Sequence, residues 1–394
     1  MFSAEQQEQY ERDGYLILRN QFSDTEMAAL DAAILRNPPL DDGKPVGTWP
    51  GPGRYTLAKS SWCDPDFVHF AEHPWVVSGA RTLLNDDVVL TAYVMYDRTP
   101  GGKGIPAHHD YKRWRPVGSS LEWLFTVIPA CDFNEATGQL FVAPGSHHLE
   151  REIDRGEGVR HINEAIRPRE EDFIDPGLKR GDLLFMNMHL WHKAADNNSD
   201  LHRCGLFNKY AAKHYPPATG YYVFSDEVYE MMSESGKELI AVHSNKPIET
   251  SRLLLHRKQD DRSEFFFVKK GDTLSLPGGP VYFEDAIPDW DIGNYIGSLQ
   301  TNVLKQIRLE TPWVTYVGDY EEGEALTRVY AYPMNWNGFP VPYHEGVWVD
   351  QKDLEQQTFE FGYERRAVAA WLDPTMIRGK GLSQAKSRID QFAY

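Results

Sequence analysis

The hydrophobic pattern begins helical. In SAEQQEQYERDG (residues 3–14), Ser3 and Gln6 have capping-box spacing and Gly14 supplies a stop, which predicts a short helix. YLILRNQF follows as a short buried strand. Ser23 and Glu26 then repeat the capping box ahead of the amphipathic run EMAALDAAIL. From VVLTAYVMYDR onward the chain turns to short apolar runs broken by Gly, Pro and Asp: LEWLFTVIPA, GQLFVAPGS, GDLLFMNM and RCGLFNKYAA. Short strands with turns between them predict a β-sandwich or barrel of jelly-roll type. Residues 37–53, NPPLDDGKPVGTWPGPG, are too rich in Pro and Gly for regular structure and read as a long loop, either a lid or a solvated connector.

The β pattern lapses around residues 211–236 into a Pro-containing crossing and a short helix. The boundary is therefore set there, giving domains 1–235 and 236–394. The second half restarts with SRLLLHRK and SEFFFVKKGD, strand-like runs joined by a polar turn. An amphipathic stretch near 296–310 follows, then WVTYVGDY, LTRVYAYP and GVWVD, an α+β pattern distinct from the first half. No internal repeat or low-complexity tract is evident.

Composition narrows the function classes. The 394 residues suffice for a large core, and 41% hydrophobic content with 11 Trp marks a folded protein. With 41 Lys and Arg against 58 Asp and Glu, the formal charge is −17, which argues against a nucleic-acid polymer as partner and gives no support for docking on an anionic membrane. Cys63, Cys131 and Cys204 form no CxxC pair, which fits free thiols in a reducing compartment. The N-terminus lacks an apolar signal region and no run is long enough to span a bilayer, so a cytoplasmic location is expected.

The chemistry concentrates in PAHHDYKRW (106–114) and GDLLFMNMHLWHKAADNNSDLHR (181–203). On an extended segment His108 and Asp110 point to one face and His109 to the other. A His and a carboxylate are two corners of a metal site, and His189 or His192 offers the third. Two neutral imidazoles and one carboxylate hold one face of Fe(II), leaving open positions for an anionic chelating co-substrate and O₂. Such a co-substrate needs a cation at its far end, and Arg203, with its planar fork, suits a carboxylate.

These segments resemble the phytanoyl-CoA dioxygenase-like Fe(II)/2-oxoglutarate oxygenases over roughly residues 1–213. ERDGYLILRNQFS looks like that family's N-terminal helix–strand–helix, and TGQLFVAPGSHH is similar to its Pro-Gly-Ser-His turn. In its closing motif the metal histidine precedes the co-substrate arginine by eleven residues. Counting back from Arg203 reaches His192. The resemblance thus implies His108, Asp110 and His192 as metal ligands and catalytic residues, with swaps to His109 or His189 as the alternatives. It implies a double-stranded β-helix (jelly roll, cupin-like) fold, mainly β with flanking helices. Arg203 would bind 2-oxoglutarate, and Tyr96 and Arg98 are candidates for further contacts. The chain departs from the family at Ala194, where many members carry a Ser or Thr that bonds the co-substrate. The presence of Asp110 weighs against halogenation and implies hydroxylation, desaturation or ring formation. His147 and His148 read as surface or supporting residues.

Residues 240–355 bear a faint resemblance to a degenerate Nudix fold. Gly278 and Glu284 keep the opening spacing of a Nudix box, but Gln306 and Leu309 stand where its glutamates belong, leaving Glu310. Diphosphate hydrolysis needs several carboxylates on metal, so a nucleotide hydrolase is disfavoured. The function expected is an Fe(II)- and 2-oxoglutarate-dependent dioxygenase acting on a small-molecule substrate, a homo-oligomer being compatible. The alternative is a non-catalytic jelly-roll metabolite-binding protein.

Overall fold

The computed structural model describes residues 2–38, 40–41, 44–45, 54–57, 64–92, 94–110, 123–148, 167–216, 220–282, 295–311, 313–334, 346–376 and 382–383. The N-terminal unit runs α1 (Ala4–Asp13), β1 (Tyr15–Leu18), α2 (Asp24–Arg36), a ribbon of β2 (Leu40–Asp41) and β3 (Lys44–Pro45), then β4 (Arg54–Leu57). It continues through α3 (Pro65–Glu72), α4 (Pro74–Leu84), β5 (Val88–Ala92), β6 (Met95–Arg98) and β7 (Ile105–His108). It closes with β8 (Trp123–Pro129), β9 (Leu140–Val142), β10 (Leu183–Asn187), β11 (His192–Ala194), β12 (Arg203–Leu206) and β13 (Lys209–Ala212).

Local chemistry sets the first elements. Ser3 and Gln6 close a reciprocal capping box on α1, and Gly14 ends the helix at φ +80°, donating to Tyr10 O. Ser23 and Glu26 repeat the device on α2. The larger sheet runs β1-β10-β8-β12-β6-β4, with β13 pairing β8 and β5, while β7-β11-β9 make a small second sheet. All these pairings are antiparallel, and the Phe125 ring of β8 lies 5.6 Å from that of His192 on β11. Two antiparallel sheets facing each other with helices outside make a mainly β, jelly-roll-like unit.

Two expected strands are each divided. VVLTAYVMYDR folds as β5 and β6, and RCGLFNKYAA as β12 and β13. In the second case Phe207 N bonds Val94 O while Thr126 N bonds Asn208 O. The chain thereby leaves β12's partner β6 and continues along β5 and β8, which re-aims Lys209.

The C-terminal elements are α5 (Asp226–Met231), α6 (Glu234–Lys237), β14 (Ile248–Gln259), β15 (Arg262–Lys270), β16 (Thr273–Ser275), β17 (Gly278–Pro280), α7 (Tyr295–Ile307), β18 (Trp313–Glu322), β19 (Ala325–Met334), β20 (Gly346–Asp350), α8 (Tyr363–Leu372) and β21 (Leu382–Ser383). Their sheet is mixed: β14 pairs β19 in parallel and β15 antiparallel. Alternation along β14 sends Leu253 and Leu255 to the core under α7 and Leu254 to the core under α8. The first unit's core runs past the expected 235/236 boundary, because Leu239 and Ile240 pack into it along with Val228 and Met232. Leu239 O also accepts the Leu90 amide. Val89, Tyr221 and Val223 belong instead to the α7-side core, so the units share apolar packing. Most of the expected loop at 37–53 lies outside the described residues, as do Glu284 and Cys63.

Candidate metal and co-substrate site

The metal-type cluster forms where the small sheet faces the large one. His108 and His192 are Cα partners across β7 and β11. Asp110 lies just past the end of β7 rather than within the strand, its amide donating to Met188 O. Each histidine is held alike: His108 Nδ1 bonds Pro106 O at 2.7 Å and His192 Nδ1 bonds Leu190 O at 3.0 Å. A neutral imidazole that donates from Nδ1 leaves its Nε2 lone pair free. Those lone pairs converge on one carboxylate oxygen: Asp110 Oδ1 is 3.4 Å from His108 Nε2 and 4.0 Å from His192 Nε2. All three side chains are buried. Three acceptors gathered without a donor repel one another unless a cation joins them, and this donor set fits a divalent metal.

Electrostatics favour that state. Burial works against the Asp110 carboxylate, yet the Lys209 ammonium holds it well below the usual range. Burial, then His108, pushes His192 down to about 3, keeping it neutral as a ligand must be. Lys209 Nζ bonds Asp110 Oδ2 at 2.8 Å. Sequence reasoning missed Lys209. Its signal was a lysine inside an apolar run, where burial requires a partner.

Arg203, on β12, is buried with its guanidinium stacked 3.5 Å above the Phe133 ring and Nε donating to Gly138 O at 3.1 Å. Among the described residues its Nη2 meets no hydrogen-bond acceptor. Burial, then the charge of Arg98, pushes its pKa well down. An anion at this guanidinium would relieve both costs. Arg98 is the Cα partner of Arg203 and donates to Ala195 O at 2.7 Å. Tyr96 shares Arg98's strand face and packs edge-on against Phe207, ring centroids 4.9 Å apart. Ala195 lies three residues past His192 and bonds Gln139 O beside Gly138. Arg203 is thus linked through Gly138 and Gln139 to the segment just past β11. Gly138 is required there: at φ +95°, a Cβ would approach Ala195 O to 2.7 Å.

The remaining histidines lie elsewhere. His109 stacks on His189, centroids 5.9 Å apart, and meets Trp191 edge-on. His147 and His148 both bond Glu11 O, tying their turn to α1. The same turn latches the residue before His192, since Trp191 N donates to Ser146 Oγ at 2.9 Å. Glu26, His69 and His73 form a second His/carboxylate trio. There Trp75 N donates to His73 Nδ1, so Nε2 carries the proton and donates to Glu26 Oε1 at 3.1 Å. That trio is a helix junction without a free ring lone pair on His73.

In the C-terminal unit Gln306 Oε1 accepts the Gly278 amide at 2.9 Å, Leu309 is buried and Glu310 is exposed. No metal-type cluster occurs there among the described residues.

Residues 10–205 match the family model described as Phytanoyl-CoA dioxygenase (PhyH). Over 235 residues the chain is 29% identical to an ectoine dioxygenase of Bordetella parapertussis, covering 53% of this chain and 75% of that protein. Among solved structures it is similar to the epimerase SnoN in complex with Fe3+, alpha ketoglutarate and nogalamycin RO. The TM-score is 0.45 and the identity 20%, covering 53% of this chain and 82% of that one. It is also similar to EctD from S. alaskensis in its apoform, with TM-score 0.44 and 21% identity, covering 62% of this chain and 88% of that one.

Proposed function

Because residues 10–205 match the phytanoyl-CoA dioxygenase family model, we propose that this chain is an Fe(II)- and 2-oxoglutarate-dependent dioxygenase that hydroxylates a small-molecule metabolite. The observation that carries this reading is the convergence of His108 Nε2, His192 Nε2 and Asp110 Oδ1, ligand atoms within 4.8 Å of one another with no donor among them. His108, Asp110 and His192 would hold the iron. When bound, the iron would supply oxidation chemistry in which 2-oxoglutarate and O₂ yield succinate, CO₂ and the hydroxylated substrate, one oxygen atom of O₂ going to succinate and the other to the substrate.

The chain's own groups do the rest. Arg203 takes the far carboxylate of 2-oxoglutarate, which restores the acceptor its Nη2 lacks and offsets the cost of its burial. Phe133 keeps the guanidinium flat. Arg98, held on Ala195 O, adds a second cation on the same side and compensates for the hydroxyl absent at Ala194. Tyr96 borders the co-substrate beside it. The C-terminal unit is an accessory module on a Nudix-like scaffold in which Gln306 holds the Gly278 amide with a neutral acceptor. The protein works in the cytoplasm, where thiols such as Cys131 and Cys204 stay free. No described helix is long and apolar enough to cross a membrane.

The test is anaerobic titration of metal-free protein with Fe(II) and 2-oxoglutarate, following the visible charge-transfer band of the chelate. Wild type should develop the band and His192→Ala should lose it. Arg203→Ala should need far more 2-oxoglutarate. A folded wild type that never develops the band would leave the metabolite-binding alternative in its place.

A further inference from the structure

Building on the oxygenase reading, we infer that Lys209 is a positioning residue that occupies the outer oxygen of Asp110, so that this carboxylate offers the metal one oxygen rather than two. The two oxygens have separate surroundings. Oδ1 faces the imidazole nitrogens, at 3.4 and 4.0 Å, while Oδ2 lies 2.8 Å from Lys209 Nζ. A carboxylate can hold a divalent cation through one oxygen or through both. Using both would fill a position that a chelating co-substrate needs. An ammonium on Oδ2 competes for that second oxygen with a charge-assisted hydrogen bond.

Its placement suits the task. Asp110 lies beyond the end of β7, its amide bonded to Met188 O. Its carboxylate therefore needs an outside hold to keep one rotation. Lys209 supplies this from the opposite sheet, where its backbone is fixed as the Cα partner of Phe125 and its ammonium lies 5.6 Å from that ring. The Phe125 ring also lies 5.6 Å from the His192 ring, so one strand pair supports both the clamp and a ligand. Lys209 is only 1% exposed, and a lysine so deeply buried is rare unless it is paired.

Full-length wild type, Lys209→Met and Lys209→Arg would be compared anaerobically. The readouts are Fe(II) affinity by chelator competition, 2-oxoglutarate affinity of the iron-loaded protein, the chelate band and the melting temperature. In Lys209→Met, Fe(II) affinity should hold or tighten, while 2-oxoglutarate affinity falls ten-fold or more and the band weakens. Lys209→Arg should restore most of both. If Lys209→Met does not fold, Lys209→Gln, which keeps a long side chain and a neutral donor, should show the same split in smaller measure. Unchanged 2-oxoglutarate affinity in Lys209→Met would overturn the clamp. So would a parallel loss of both affinities and of melting temperature in every variant. A wild type without the band removes the oxygenase reading and the clamp with it, whereas a normal wild-type band with indifferent variants removes the clamp alone.

Discussion

His108 and His192 face each other as Cα partners across two antiparallel strands, ring centroids 4.2 Å apart, each held by a bond from Nδ1 to the carbonyl two residues earlier. The same local device fixes both tautomers, so each ring presents Nε2. His108→Ala and His192→Ala should lower Fe(II) affinity by more than about 100-fold, beyond the usual effect of residues that merely support ligands. His109→Ala removes a ring packed on His189 and Trp191 instead. It should cost about 1–3 kcal/mol of stability with Fe(II) affinity intact. Calorimetry and anaerobic titration of the three variants separate the two outcomes.

Arg203 bonds one backbone carbonyl and stacks on a ring, and its Nη2 meets no acceptor among the described residues. Arg203→Met should therefore leave the melting temperature unchanged or raised, since a buried charge is relieved. Its 2-oxoglutarate affinity should fall about 10- to 100-fold, the worth of charge-assisted hydrogen bonds. Arg203→Lys should recover little, because an ammonium cannot reproduce the stacked fork. Equal stability loss and binding loss in Arg203→Met would count against this assignment.

Arg328 and Asp319 form a fully buried pair, Nε to Oδ1 at 2.7 Å and Nη2 to Oδ2 at 2.8 Å, and Arg328 also donates to Tyr221 O. The pair thus ties the C-terminal sheet to the connecting segment. Asp319→Asn should destabilise by about 3–5 kcal/mol by leaving a buried guanidinium unpaired, while the double variant Arg328→Met/Asp319→Leu should lose much less. Denaturant unfolding of the set measures the difference.

Burial pushes the carboxyl of Glu364 up from 4.5 to about 7, against the Leu276 and Phe361 amides that bond it. The folded state then holds a proton that the unfolded state has released between those values. Stability should fall as pH rises through that window and level off above it, by about 3 kcal/mol at most. Glu364→Gln should flatten the melting temperature between pH 5 and about 7 and stabilise the protein at pH 8.

That His108, Asp110 and His192 could form one cluster was legible because a metal-type donor set constrains residue type and spacing within short segments. The capped α1 and α2 were legible for a similar reason, since Ser3–Gln6 and Ser23–Glu26 act within one helical turn. The division of RCGLFNKYAA was not legible. It depends on Phe207 and Asn208 finding partners in Val94 and Thr126, far away in the chain. That division aims Lys209 at Asp110, 99 residues earlier. Choosing His108 and His192 over His109 and His189 on residues alone was likewise open, because the choice turns on which rings oppose across two strands. The sequence by itself determined which side chains were available and the local periodicity that presents them. Tertiary structure decided their register, their burial and which oxygen of Asp110 meets which partner, because these depend on contacts between distant segments that no local pattern encodes.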